Sequence, residues 1–353
     1  HVQLERTGWR KNYAPELAFD GAGELLARLR QAPEVEAAAP RVQAQALASS
    51  ATRSEGILLI GIVPEAERAV TFIDRTLVEG ESLATGDDRE IVIGRELARR
   101  LGVRLGEKVV VMAQAAGGEL GSNAYRIRGV FATESAAFDG AIAYVTLPAA
   151  QSLLAMGARV STINLRLRNR DASASSLGDL QRLAQTVPDL SVQPWQVLLP
   201  QVDQMVRLTR IIADIVLAIA FFVIAVAIMN TVYMAVAERT REFGVMMALG
   251  TPPAAIQRMV VYETLALMVL ASLIGYGAGV ALVLHFGREG IDLSGFFRGY
   301  SSIPGLTGIV HPRLFADHLL VPGLVLFAAS VLISLVPASH AARLDPVRAI
   351  RHV

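Results

Sequence analysis

Three stretches of this chain, 215–237, 264–287 and 319–339, contain no Asp, Glu, Lys or Arg. The hydrocarbon core of a bilayer is about 30 Å thick and takes about 20 apolar residues in a helix to cross. Inside it, every backbone N–H and C=O must be bonded within the protein, which leaves helices or closed barrels. Runs of this length therefore predict three membrane-crossing helices. The rest of the chain must fold around that constraint. Charge is distributed accordingly: residues 1–206 hold 22 Lys+Arg against 24 Asp+Glu, net −2, and residues 207–353 hold 11 against 8, net +3. Neither half has the basic excess of a nucleic-acid binder, so no nucleic-acid partner is expected. The absence of cysteine excludes disulfides and thiolate metal sites.

The first 199 residues read as a water-facing domain of mixed type. A helix is predicted over 22–31, where Leu25, Leu26 and Leu29 share a face and Pro33 enforces a stop. Alternation around Gln43 and Gln45 predicts a strand over 42–48, and 56–63 is a second strand. A β-rich subdomain is expected over 85–138: strand 90–93, helix 95–101, turns at Gly102 and Gly106, then strands 108–112 and 125–131. Strands at 143–147 and 162–167 and helices at 148–156 and 175–186 restore an α/β rhythm. The fold class is thus an α+β domain, an α/β subdomain with a β-rich one inserted, joined to an all-α transmembrane domain. Gly117, Gly118 and Gly121 suit a hairpin tip. A phosphate-binding loop needs Gly-Lys followed by Ser or Thr, and the only lysines, Lys11 and Lys108, lie in no such setting. With no His-Glu-x-x-His and no Gly-x-Ser-x-Gly, no catalytic residue, no metal and no cofactor is assigned to this chain, and any ATP is hydrolysed elsewhere.

In the second half, the helix crossing at 211–237 extends back through a stalk at 200–210, because no breaker follows Pro200. Residues 201–237 as one helix measure about 55 Å, well beyond the hydrocarbon thickness. Arg210 and Asp214 are spaced to pair at i, i+4. The insert at 238–258 opens with an amphipathic helix, with Phe243, Met246, Met247 and Leu249 on one side and Glu238, Arg239, Arg241 and Glu242 on the other. Gly250 stops it, and Thr251 and Pro252 supply an N-cap and first-turn proline for the next helix. Such a helix either lies at the membrane interface or is gripped by a partner. In the crossing at 259–287, Ala271, Gly275 and Gly279 form a small-residue stripe for close packing against a helix of this chain or of a second subunit. Glu263, near Arg258, either pairs structurally or holds the insert. A mixed loop follows at 288–318, then a crossing at 319–338 and a basic tail at 339–353. Six Lys+Arg fall in the insert and tail against three in the 288–318 loop, which favours a cytoplasmic insert and tail, an orientation carried mainly by the family resemblance given below.

Arg241-Glu242-Phe243-Gly244, then Ala248-Leu249-Gly250, then Glu263 resemble the cytoplasmic signature of the FtsX-like permease family, the membrane subunits of MacB-type and lipoprotein-releasing ABC transporters. IVIGRELARRLGVRLGEKVVV and YRIRGVF resemble the extracytoplasmic domains of these proteins, and PASHAARLDPVRAIR resembles their tails. The resemblance implies that the insert is a coupling helix seated on an ABC ATPase, with Glu238, Arg239, Arg241, Glu242, Phe243, Gly244, Met247, Leu249 and Gly250 as the coupling residues. Met247 stands where the family more often has arginine. ATP and Mg are then held by the partner ATPase, and the permease is a homodimer or a heterodimer with a second permease in the bacterial inner membrane. Its large domain is expected in the periplasm. The family has four spans, so a first one is expected before His1. The implied mechanism is mechanotransmission, with lipoprotein as cargo and a periplasmic adaptor or chaperone as a further partner. YRIRGVFATESAAFDGAIAYVTL favours lipoprotein release. MacB-like efflux of drugs, toxins or peptides, and a non-transporting scaffold that regulates a cell-wall hydrolase, stay open as alternatives.

Overall fold

A computed structural model describes residues 2–133, 135–168, 174–292 and 309–343. These fall into two units, with the boundary between Asp203 and Gln204. In chain order the first unit contains β1 (Val2–Arg6), α1 (Trp9–Asn12), α2 (Ala22–Gln31), β2 (Val35–Ser49), β3 (Ser54–Ile62), α3 (Pro64–Val70), β4 (Leu77–Gly80), β5 (Glu90–Gly94) and α4 (Arg95–Leu101). It continues with β6 (Lys108–Gln114), β7 (Leu120–Phe131), α5 (Ala136–Ala141), β8 (Ile142–Thr146), α6 (Leu147–Leu153), β9 (Thr162–Leu167), α7 (Ala174–Ala184), β10 (Leu190–Pro194) and α8 (Trp195–Leu198).

The strands form one hydrogen-bonded sheet in the order β10-β1-β9-β2-β3-β8-β5-β7-β4, with β6 paired to β2 and β7. β2 makes this possible. Its 15 residues hold β9 along 35–41 and β6 along 46–49 on one side, while β3 runs along the other. The β-rich segment 85–138 supplies β5, β6 and β7, which join the sheet through β5–β8 and β6–β2 pairing. Leu97 and Leu101 of α4 and Ala149 and Leu153 of α6 pack with Ile91, Ile93, Val109 and Val111. Leu25 and Leu29 of α2 pack with Leu4, Ile163, Leu165 and, from α7, Leu180. Each such fully buried leucine stabilises the fold by about 2 kcal/mol. Helix α3 is tied down by charge: Glu67, 4% exposed in its side chain, pairs with Arg41 of β2 and accepts from Thr71 Oγ1 at 2.9 Å.

Two local expectations are corrected in this unit. The strand expected at 42–48 starts at Val35, because Ala38, Ala39 and Pro40 are all buried and show no alternation. Gly121 lies inside β7 rather than at the hairpin tip, where a Cβ would sit 2.1 Å from Leu153 O. At the sheet edge, the side-chain amide of Gln181 in α7 donates to Leu190 O at 3.2 Å and accepts from Val192 N at 3.0 Å, so it covers the outer side of β10.

The second unit holds α9 (Pro200–Glu238, whose first turn belongs to the first unit), α10 (Thr240–Ala248), α11 (Pro253–Glu289), the short paired strands β11 (Ile291–Asp292) and β12 (Ile309–Val310), and α12 (Ala316–Ala342). Three of these helices are long and apolar enough to cross a membrane: α9, α11 and residues 319–342 of α12. α9 has 39 residues, about 58 Å at 1.5 Å per residue. α12 runs on through Pro337 to Ala342, so the expected tail begins later than 339. Burial explains this continuation, since Ala338 and Ala341 are 0% exposed against Val232, Val236 and Phe243. The tail beyond Arg343 and most of the 288–318 loop lie outside the described residues.

Among the described residues no ion pair joins Arg210 to Asp214, and both are exposed. A cation placed four residues before an acid is the less favourable order on a helix, and water solvates both ends. The Ala271-Gly275-Gly279 stripe is not the contact between α11 and α12 either. Ala271 and Gly275 are exposed, and a Cβ on Gly275 or Gly279 would meet nothing within 4 Å. The close approach is made by Gly323 of α12, where a Cβ would sit 2.0 Å from the Tyr276 hydroxyl, itself donating to Leu319 O at 2.7 Å.

Candidate functional site: the corner between two long helices

Arg239, with φ −100° and ψ 12°, breaks the helical run between α9 and α10. Phe243 is 1% exposed, and Met246 and Met247 pack partly beside it against Val232, Val236, Ile256 and Val260. This burial fixes which way α10 faces. Residues 241, 245, 248 and 249 follow the helical repeat on the opposite side, and there Arg241, Glu242, Val245, Ala248 and Leu249 are exposed, Leu249 at 83%. Leu249 was expected on the buried side. It caps the helix one residue past the last turn, beyond reach of the Phe243 cluster.

The turn after α10 is a Schellman motif. Thr251 N donates to Met246 O at 3.0 Å and Gly250 N to Met247 O at 3.0 Å, with Gly250 at φ +98°. That φ is strained for any residue with a Cβ. Thr251 therefore serves the end of α10 and not the start of α11. The N-cap of α11 is Pro252, without a side-chain hydrogen bond, and Pro253 is the first helical residue, one later than expected.

Arg239 ties the corner together. Its Nη1 reaches Glu263 Oε2 of α11 at 2.8 Å, its Nε reaches Glu242 Oε2 at 2.9 Å, and its guanidinium lies 5.4 Å from the centre of the Phe243 ring. The hydrogen bond with Glu242, with Glu263 adding to it, raises the Arg239 pKa above its ordinary value. Beneath this clamp is a crevice of about 60 Å³ lined by Thr231, Val232, Val236, Val260 and Leu267 among others. Arg258, expected beside Glu263, bonds instead to Ala254 O of its own helix at 3.3 Å.

The structure therefore brings Arg239, Glu242, Phe243 and Glu263 into contact, buries Gly244, half-buries Met247 and leaves Glu238, Arg241 and Leu249 facing outward. Val245 and Ala248 belong to the outward face and were not singled out from the sequence. Their spacing from Arg241 and Leu249 was the available signal. No cluster of His, Asp or Glu able to hold a metal occurs among the described residues.

A short helix held by charge thus sits in the corner between two membrane-length helices, in a chain that also carries an α+β domain. Residues 1–183 match the MacB-like periplasmic core domain, and residues 215–346 match the FtsX-like permease C-terminal domain. The chain belongs to this family of FtsX-like permeases with a MacB-like periplasmic core. It is similar to the lipoprotein-releasing system transmembrane protein LolC of Xylella fastidiosa, at 25% identity over 91% of this chain and 78% of that protein. It is also similar to LolE of Haemophilus influenzae, at 26% identity over 92% and 79%. Among solved structures, the periplasmic region of MacB from Actinobacillus actinomycetemcomitans aligns with a TM-score of 0.40 at 12% identity, covering 57% of this chain and 92% of that one.

Proposed function

We propose that this permease converts ATP hydrolysis in a partner ATPase into movement of its α+β domain, and that the cargo is lipoprotein leaving the inner membrane. One observation carries the reading: the outward face of α10, where Val245, Ala248 and Leu249 lie exposed beside Arg241 and Glu242, on a helix that Arg239 and Phe243 hold rigidly. An exposed apolar strip flanked by charge suits a groove on a cytoplasmic protein. ATP and Mg belong to that partner. The α+β domain then lies in the periplasm, where a lipoprotein or its chaperone meets it, and a second copy or second permease completes the dimer. Lipoprotein release is favoured because the LolC and LolE relatives align along more than nine-tenths of the chain.

Leu249→Glu and Val245→Glu test this reading. Both should leave the chain in the membrane and abolish co-purification with the ATPase, whereas unchanged co-purification overturns it. Export of a drug, toxin or peptide is the second reading, supported by the MacB-like match over 1–183. Photo-crosslinking from the α+β domain in working membranes separates the two by what is captured.

A further inference from the structure

The α+β domain ends at a joint. β1 and β10 lie side by side and antiparallel, with Val2 opposite Pro194, and the chain leaves the sheet there through α8. α8 is only four residues long. Leu199 then breaks the helical path with φ −130° and ψ 68°, and α9 starts at Pro200, which has no N–H. Val202 N and Asp203 N both turn back to Leu199 O, at 3.1 Å each, so the first turn of α9 closes on itself. No backbone N–H among the described residues bonds to Leu198 O. Left alone, such a junction is a hinge.

A side chain from elsewhere in the domain fills the gap. Arg10 Nη1 of α1 donates to Leu198 O at 2.8 Å, and Arg10 Nη2 lies 3.5 Å from Glu5 Oε2 of β1. Glu5 is 6% exposed, and its carboxylate also accepts from Gln3 Nε2 at 2.7 Å. Ser191 Oγ of β10 donates to Glu5 O at 3.1 Å, which ties the edge strand β10 to its neighbour β1 at this residue. Trp9, next to Arg10, is 0% exposed and anchors α1 in the domain. A guanidinium can fork between a carboxylate and a carbonyl in a fixed plane, which an ammonium cannot.

We propose that Arg10 is a positioning residue for force transfer: it locks the α8–α9 junction to the sheet through Leu198 O and Glu5, so that the first turn of α9 is held to the domain rather than bending at Leu199. The inference rests on the proposed coupling function for its purpose, and its structural content is testable without any partner. These 353 residues contain no cysteine, so spin labels can be placed cleanly at Glu119→Cys in the domain and Leu208→Cys on α9, both exposed positions. In the full chain in lipid nanodiscs, Arg10→Ala should widen the distance distribution about twofold, and Glu5→Gln should widen it less, because the bond to Leu198 O survives. In the assembled transporter, Arg10→Ala should lower cargo release per ATP about tenfold, with ATPase binding and hydrolysis unchanged, as expected for loss of a charge-assisted bond. Arg10→Lys should rescue in part.

Should Arg10→Ala fail to fold, the same ordering between wild type, Arg10→Lys and Glu5→Gln carries the test. A distance distribution indifferent to all these changes overturns the inference. A wild-type chain that binds no ATPase overturns the proposed function instead and leaves the spectroscopic result standing.

Discussion

Replacing Arg239 with Ala removes three contacts at once: two ion pairs, to Glu242 and Glu263, and the contact with the Phe243 ring. Only the Glu263 pair fixes α10 against its surroundings, because Glu242 and Phe243 lie on the same helix. The Arg239 side chain is 37% exposed and that of Glu263 51%, so solvent screens the pair and its contribution is about 0.5–1 kcal/mol. The contact with the Phe243 ring stays within α10 and does not add to that hold. The interhelical pair alone corresponds to roughly a two- to five-fold change in the population of α10 held in its corner. Phe243 and the apolar cluster remain, so the helix should persist and sit less rigidly. Hydrogen exchange at the α10 amides of Arg239→Ala, in nanodiscs, should accelerate by about that factor while exchange in the α+β domain stays unchanged. A double-mutant cycle with Glu263→Gln isolates the interhelical pair and should give a coupling of about 0.5–1 kcal/mol. Charge exchange, Arg239→Glu with Glu263→Arg, should restore only part of the protection, because Glu242 would then face a like charge. Additive effects of the two single substitutions, or unchanged exchange in Arg239→Ala, would refute the clamp.

Glu67→Gln should destabilise the α+β domain by about 3 kcal/mol by leaving Arg41 without its carboxylate in a buried site, read as a lower thermal midpoint of the full chain. Arg99 and Arg100 hold the Glu96 carboxyl down to about 2, well below its ordinary value. Its stabilising contribution is therefore full above the unfolded pKa, about 4.3, and is lost as pH falls towards about 2. Denaturant midpoints of wild type and Glu96→Gln should differ at neutral pH and converge across that window. Gly323→Ala forces the Tyr276 hydroxyl off Leu319 O and should cost about 1 kcal/mol in detergent unfolding. Combining it with Tyr276→Phe should give less than the sum of the two.

Much of this architecture could be read where one segment reports on its own burial. Helix 95–101 and strand 162–167 fall where periodicity put them, and the three uncharged runs are helices in the structure. The misreadings share one cause, which is that distant neighbours decide them. Ala38 and Ala39 are buried where β2 pairs with β9, Ala38 in the cluster that includes Leu25 and Leu29 of α2, rather than by alternation, and α12 continues past Pro337 because Ala338 and Ala341 pack in the cluster with Phe243. At the site, the residue types of the corner were legible and their directions were not. Arg239 looked like a surface charge until Glu263, 24 residues later, was placed opposite it, and Leu249 looked like part of an apolar face that stops at Met247.

The amide of Gln181 at the edge of β10 limits how that domain can meet other chains. A bare edge strand offers N–H and C=O groups to any extended peptide that arrives. Here the side chain presents one donor and one acceptor to Leu190 O and Val192 N, as the peptide group of a neighbouring strand would, and Pro194 has no N–H to give. At β10 the sheet thus carries an imitation of its next strand and leaves no room there for a real one. A passing polypeptide, unfolded or folded, must be told apart at that edge by its side chains.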